Sequence, residues 1–221
     1  PFLATSIDDA RRLTDLARPA YEKKLAGFGQ KLLYTTPWPA SGIWSKTPLD
    51  SAAALTGLSI RTYDATSTAV MNAAGAKAAN LSFADAMPKV KDGSVVAVLS
   101  SGDGGAGRNL WDYLPNFTEV NYAMPISIAS VNLAAYEALP ADLRQVVDAA
   151  AQETEQRQWA AIRTRLGENY ARMRANKVAI RTEVPPDLAL ALAKAGRMAV
   201  EEWQRKAGPE GREMLKQYDG K

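Results

Sequence analysis

From Pro140 to about Asn176 the chain carries one uninterrupted helical pattern. Leu143, Val146, Val147, Ala150, Thr154, Ala161, Ile162, Leu166, Tyr170 and Met173 follow i, i+3, i+4, i+7 spacing. Helices of globular domains usually run about 8–20 residues. A helix this long outgrows one small core, so the pattern predicts an element that braces two lobes.

Around it, strand and helix signals alternate. SIDDARRLTDLARPAYEKKLAG predicts a helix with Ser6 as cap, Asp8 and Asp9 in its first turn and Gly27 at its end. QKLLYTT reads as a short buried strand, PWPASG as a connector, TPLDSAAALTG as a short capped helix and LSIRTY as a strand. ATSTAVMNAAGA is an Ala-rich helix ending at Gly75, and a helix from Ala84 to about Lys91 tolerates Pro88 in its early turns. SVVAVLS is a continuous apolar strand of the kind covered on both faces. NFTEVNYAMPISIASVN is β-rich, KVAIRTEV is a strand, and PPDLALALAKAGRMAVEEWQRKAG is a helix opened by Pro185 and Pro186. Alternation of this kind predicts an α/β fold. Of the tryptophans, Trp111, Trp159 and Trp203 fall within helical patterns and read as core.

Two absences narrow the chemistry. Among 221 residues there is no Cys and no His. That removes thiol nucleophiles, disulfides, zinc–thiolate sites and Ser–His–Asp catalysis. Asp8, Asp9, Asp103 and Asp112 form no spacing that resembles a metal loop. The net charge of +3 is spread among interspersed acids and bases, which does not make a nucleic-acid stripe. No apolar run reaches the roughly 20 residues that span a bilayer.

VVAVLSSGDGGAGRNLWDYL reads strand, then Gly102-x-Gly104-x-x-Gly107, then helix, the order of a dinucleotide-binding turn. Pro115 stops the helix early, whereas a βαβ crossover needs at least about 10–12 residues. Three readings stay open: a nucleotide-binding α/β enzyme, a plain flexible loop, or an adaptable ligand loop in which Ser100 and Ser101 supply hydroxyls beside Gly102. Arg61 follows the apolar run Leu58-Ser59-Ile60. Its guanidinium can grip a carboxylate with two parallel hydrogen bonds, or pair with Asp64 or another surface acid. Trp38 and Trp44 flank the PWPASGIW connector, where they can wall a pocket or plug a seam between lobes.

Taken in order, PFL at the start, IWSKTPLDSAAALTGLSIRT, NLSFADAMPKVKDGSVVAV and VNLAAYEALPADLRQVVDAAAQETEQRQ resemble the solute-binding subunits of TRAP (tripartite ATP-independent periplasmic) transporters, the DctP-like family. The resemblance runs over essentially the whole chain. It implies a two-lobed α/β periplasmic-binding-protein-like fold with a hinge and a long bracing helix. It implies a monomeric periplasmic receptor, neither an enzyme nor membrane-inserted, with no cofactor or metal. Such a receptor captures an organic carboxylate in the interlobe cleft and delivers it to membrane permease subunits. The Arg of the family's IR motif, which pairs with the ligand carboxylate, carries over to Arg61. On this reading Ser100, Ser101, Gly102, Trp44 and Trp38 border the ligand. The lobes are expected as 1–38 (lobe I), 39–125 (lobe II), 126–165 (return to lobe I) and 166–221 (packing on lobe II).

Three departures stand out. Family chains carry a signal peptide and the first strands of one lobe before their PFL segment, so an incomplete lobe with an open sheet edge is expected near Pro1. LSSGDGG replaces an acidic-Asn sequence found in many members. PASG stands where acid-sugar binders carry a second basic residue, so one guanidinium with aromatic walls predicts a monocarboxylate with an apolar or aromatic body.

Overall fold

The computed structural model of the protein describes residues 1–219. The chain divides into two compact units. Unit 1 comprises Pro1–Leu3, Pro39–Ala123 and Leu166–Gly208; unit 2 comprises Ala4–Trp38, Met124–Arg165 and the chain from Pro209 onward.

Unit 1 is built on a six-stranded mixed sheet. Its strands are β2 (Ser41–Ser45), β3 (Ser59–Thr62), β4 (Lys77–Asn80), β5 (Ala97–Ser101), β6 (Asn116–Thr118) and β8 (Ala179–Arg181), in the order β4-β3-β5-β2-β6-β8. The neighbours β4, β3 and β5 run parallel, β2 is antiparallel to both β5 and β6, and β8 is parallel to β6. Strand alternation sorts the side chains into two cores. Ile43, Ile60 and Leu99 face one way, into a cluster with Met71, Leu188 and Leu192. Trp44, Val98 and Phe117 face the other, with Leu110, Leu114 and Met173.

The helices of unit 1 start where their caps dictate. Asp64 caps α2 (Ala65–Ala73) in a reciprocal box with Ser67, and Ser82 caps α3 (Phe83–Lys91) through the Asp85 N–H. Ser101 caps the five-residue α4 (Gly102–Ala106). The connector reading of PWPASG is corrected in part: Ser41 and Gly42 belong to β2, a fully buried strand near the middle of the sheet. Gly42 hides the signal because Phe117 lies across it; a Cβ there would sit 2.3 Å from the Phe117 ring.

Unit 2 contains α1 (Ile7–Ala26), α5 (Leu133–Glu137) and a two-stranded antiparallel sheet of β1 (Gln30–Pro37) and β7 (Ile126–Asn132). Helix α6 (Ala141–Ala175) runs 35 residues and passes from unit 2 into unit 1 after Arg165. Its inward stripe in unit 2 is Ala151, Glu155, Trp159 and Ile162, while Leu143 and Val146 are exposed. The apolar pattern found the helix and part of its buried face, Ile162 and Met173, but missed the rest, because the carboxylate of Glu155 occupies the centre of the stripe in unit 2.

Helix α7 (Pro186–Asp219) breaks at Gly208, whose φ of 72° no ordinary helical residue takes, followed by Pro209. The chain changes unit at this break, whereas the expected bounds carried 166–221 as one piece. Residues 209–219 pack in unit 2, where Leu215 and Tyr218 are buried and the Tyr218 carbonyl accepts from Arg12. At the other end Pro1–Leu3 belong to unit 1. The Phe2 N–H donates to Tyr122 O at 2.8 Å, and the Phe2 ring meets Tyr122 edge-on. Trp203 is 42% exposed rather than core.

Candidate functional site

Parallel strands aim their carboxyl ends at one edge of a sheet, and ligands of α/β folds collect outside such ends. In unit 1 that edge carries Arg61 near the end of β3 and Ser100 near the end of β5. Arg61 pairs in register with Val98. Arg61, Val98 and Ser100 therefore leave the same face of the sheet, on the side of Trp44 and Phe117.

Arg61 is 5% exposed. Its Nε donates to Leu81 O at 2.8 Å and its Nη1 to Leu99 O at 3.4 Å. The guanidinium carbon lies 4.0 Å from the centre of the Phe83 ring, the first residue of α3. No carboxylate pairs with it among the described residues. Burial, then the charge of Arg108, lowers its pKa from the ordinary arginine value, yet arginine stays protonated at any physiological pH. This is a buried cation held by carbonyls and an aromatic face, with Nη2 uncommitted, and a guanidinium so placed has the donors to receive an anion.

Arg108 is the part that sequence reasoning missed. It follows Gly107, the C-cap of α4, and its guanidinium carbon lies 3.9 Å from the same Phe83 ring. Its Nη1 donates to Gly104 O at 3.1 Å. Nothing within a few residues of Arg108 marks it, because its meaning comes from a ring on another helix. Where one guanidinium was expected, two therefore share the Phe83 ring.

The other expected residues divide. Ser100 is 7% exposed, and its hydroxyl makes no hydrogen bond to a described residue. The Ser101 hydroxyl accepts from the Gly104 N–H at 3.0 Å as the cap of α4 and keeps its own O–H as a donor. Gly102 packs beneath Met173 and Tyr170; a Cβ would stand 2.9 Å from the methionine sulfur. Trp44 is fully buried beside Phe117, with its Nε1 donating to Ser101 O at 3.2 Å. It is a core residue behind the glycine segment, not an open wall. Trp38 belongs to unit 2, is 44% exposed and donates from its Nε1 to Ser127 Oγ at 2.7 Å.

The glycine spacing has a packing cause. A Cβ at Gly105 would overlap the Trp44 indole at 2.2 Å, and one at Gly104 would meet Ser100 Oγ at 2.5 Å. Strand β5 leads to β6 through only the five-residue α4 and a short 3-10 turn at Leu110–Asp112, so the long helix that follows a dinucleotide-binding turn is absent among the described residues. The dinucleotide reading of Gly102, Gly104 and Gly107 fails on both counts.

Comparison with protein-family profiles matches residues 1–206 to DctP, the bacterial extracellular solute-binding protein family 7. The chain belongs to this family. The receptor is a TRAP-type extracytoplasmic solute-binding protein with a mixed α/β fold. Among solved structures it is similar to DctP7 of Bordetella pertussis, an extracytoplasmic solute receptor binding pyroglutamic acid. Identity is 30%, over 99% of this chain and 72% of that one, with a TM-score of 0.93. DctP6 of the same organism, also binding pyroglutamic acid, shares 27% identity over 100% and 73% of the two chains, with a TM-score of 0.93. The periplasmic ectoine-binding protein of the Halomonas elongata TeaABC TRAP transporter shares the fold at 19% identity, 100% and 74% coverage and a TM-score of 0.87. A search of curated proteins finds no match. No described helix is long and apolar enough to cross a membrane, and no described cluster of acidic side chains could hold a metal ion.

Proposed function

We propose that the receptor binds a small organic carboxylate at the carboxyl ends of β3 and β5, with Arg61 as its charged anchor. In this reading it acts as a monomer, performs no catalysis, binds no nucleic acid and hands its ligand to TRAP permease subunits. The observation that carries the reading is Arg61 itself, a buried guanidinium lacking an acidic partner among the described residues. A carboxylate supplies the missing charge and two acceptor oxygens in the geometry that a guanidinium fork matches. The Ser100 hydroxyl lies on the same face and is free to donate to or accept from that ligand. The pyroglutamate bound by the two Bordetella receptors is the first candidate.

Calorimetric titration of the full chain with pyroglutamate and other small carboxylates tests the reading. Arg61→Ala is expected to weaken binding by at least about 100-fold, the scale of a desolvated charge-assisted pair. Unchanged affinity in that variant would remove Arg61 as the anchor.

A further inference from the structure

We propose that Arg108 is a second ligand-contacting guanidinium. It selects carboxylates that carry another acceptor oxygen, such as a lactam or ketone carbonyl or a second carboxylate. The proposal rests on the reading of Arg61 as the carboxylate anchor and extends it to the ligand's opposite end.

The argument begins with Phe83. Both guanidinium carbons stand over this one ring, at 4.0 Å for Arg61 and 3.9 Å for Arg108. They can be no farther apart than those two distances combined. Like charges at such spacing repel, and the field of Arg108 is felt at Arg61. The ring's negative face offsets part of that repulsion, but it is no substitute for an anion. Neither guanidinium has a carboxylate partner among the described residues. Each keeps donors in hand: Arg61 has spent Nε and one Nη1–H on carbonyls, and Arg108 has spent one Nη1–H on Gly104 O.

The two arginines differ in how they are held. Arg61 is buried on a strand, whereas Arg108 is exposed and follows directly on the cap of a five-residue helix. A buried fork tied to two backbone carbonyls suits the invariant part of a ligand, its carboxylate. An exposed fork resting on the same ring can adjust to whatever second oxygen the ligand presents. A ligand with a carboxylate alone would satisfy Arg61 and leave Arg108 as it is. A ligand with two acceptors would engage both, so the second oxygen carries the discrimination. Sites built to hydrogen-bond a given oxygen reject analogues lacking it more strongly than apolar pockets reject size changes.

The test uses matched pairs on the full chain: pyroglutamate against cyclopentanecarboxylate, and succinate against butyrate, each titrated by calorimetry. The wild type is expected to favour the oxygen-bearing member of at least one pair by about tenfold or more. In Arg108→Ala that preference collapses: the oxygen-bearing member weakens about tenfold while its partner changes less than about twofold. Arg108→Lys, which keeps the charge but not the planar fork, should regain part of the preference. Circular dichroism checks that both variants fold, which the exposure of Arg108 favours. Equal weakening of both members, no weakening of either, or a wild type that does not distinguish them overturns the proposal. Failure of the anchor reading looks different: Arg61→Ala then leaves both members of a pair unchanged.

Discussion

Each unit of the receptor holds a polar site that includes an arginine, and the two sites are opposite in kind. In unit 2, Glu155 of α6 lies with its side chain 9% exposed between Arg18, at 2.5 Å, and Arg11, at 3.2 Å. The carboxylate also accepts from the Thr35 N–H at 2.9 Å, and Thr35 Oγ1 in turn accepts from Trp159 Nε1 at 3.4 Å. Burial alone would lower the Arg18 pKa, but the hydrogen bond and charge of Glu155 raise it above the ordinary arginine value. Burial would likewise raise the Glu155 pKa, but Arg18 and the Thr35 N–H bring it below the usual glutamate range. In unit 1, Arg61 has no such answer among the described residues, and its pKa is lowered. A guanidinium with its own carboxylate ties α1, β1 and α6 together. One without it keeps its charge unspent, as the proposed carboxylate anchor requires.

That contrast can be broken in three ways. The largest effect is expected from Glu155→Ala, which strips two arginines and a backbone N–H of their acceptor. Urea denaturation should show a loss of about 3 kcal/mol, the lower end for breaking a buried ion pair because both arginines are partly exposed. A loss under about 0.5 kcal/mol would make the network ornamental, like most surface pairs.

Acid should expose the same carboxylate. The Glu155 pKa is depressed in the folded state, so its contribution is fully present above the unfolded glutamate value, about 4.3. It is lost as pH falls through the lower folded value. Stability measured from pH 7 down to about 3 should therefore fall more steeply in the wild type than in Glu155→Gln. Parallel curves would mean that the depressed pKa has no bearing on folding.

The smallest effect is expected from Arg61→Met in ligand-free protein. Methionine keeps much of the stem while removing a charge that no acid among the described residues offsets. The change should stay within about 1 kcal/mol of wild type, in either direction. A loss as large as that of Glu155→Ala would make Arg61 a structural residue, and the contrast between the two units would collapse.

Much of the local structure was legible. Ser6 caps α1, Gly75 follows α2 with a φ of 101°, Pro88 is carried within α3 and the long helix runs within a residue of its predicted ends. The legible features are those whose cause lies within a turn or two: a capping oxygen, a positive φ, a periodic apolar stripe. The misreadings share a different cause. Ser41 and Gly42 looked like connector because Gly42 owes its place to Phe117 of another strand. The glycines of α4 looked like a phosphate cradle because Trp44 and Met173, which fill the space above them, are distant in the chain. Leu143 and Val146 fitted the helical repeat and still face outward, since Glu155 rather than an aliphatic residue centres the inward stripe.

The sequence alone determined an alternating α/β chain with a 35-residue helix, no thiol or imidazole chemistry, and a permanent cation at the end of a strand. Periodicity, caps and residue chemistry are local, and they survive without coordinates. Only the tertiary structure decided which arginine is answered by a carboxylate and which is not. It also decided that Phe83 and Arg108 gather at Arg61. Such matching depends on strand register and on where helices from distant parts of the chain begin, because electrostatic partners are chosen by distance in space.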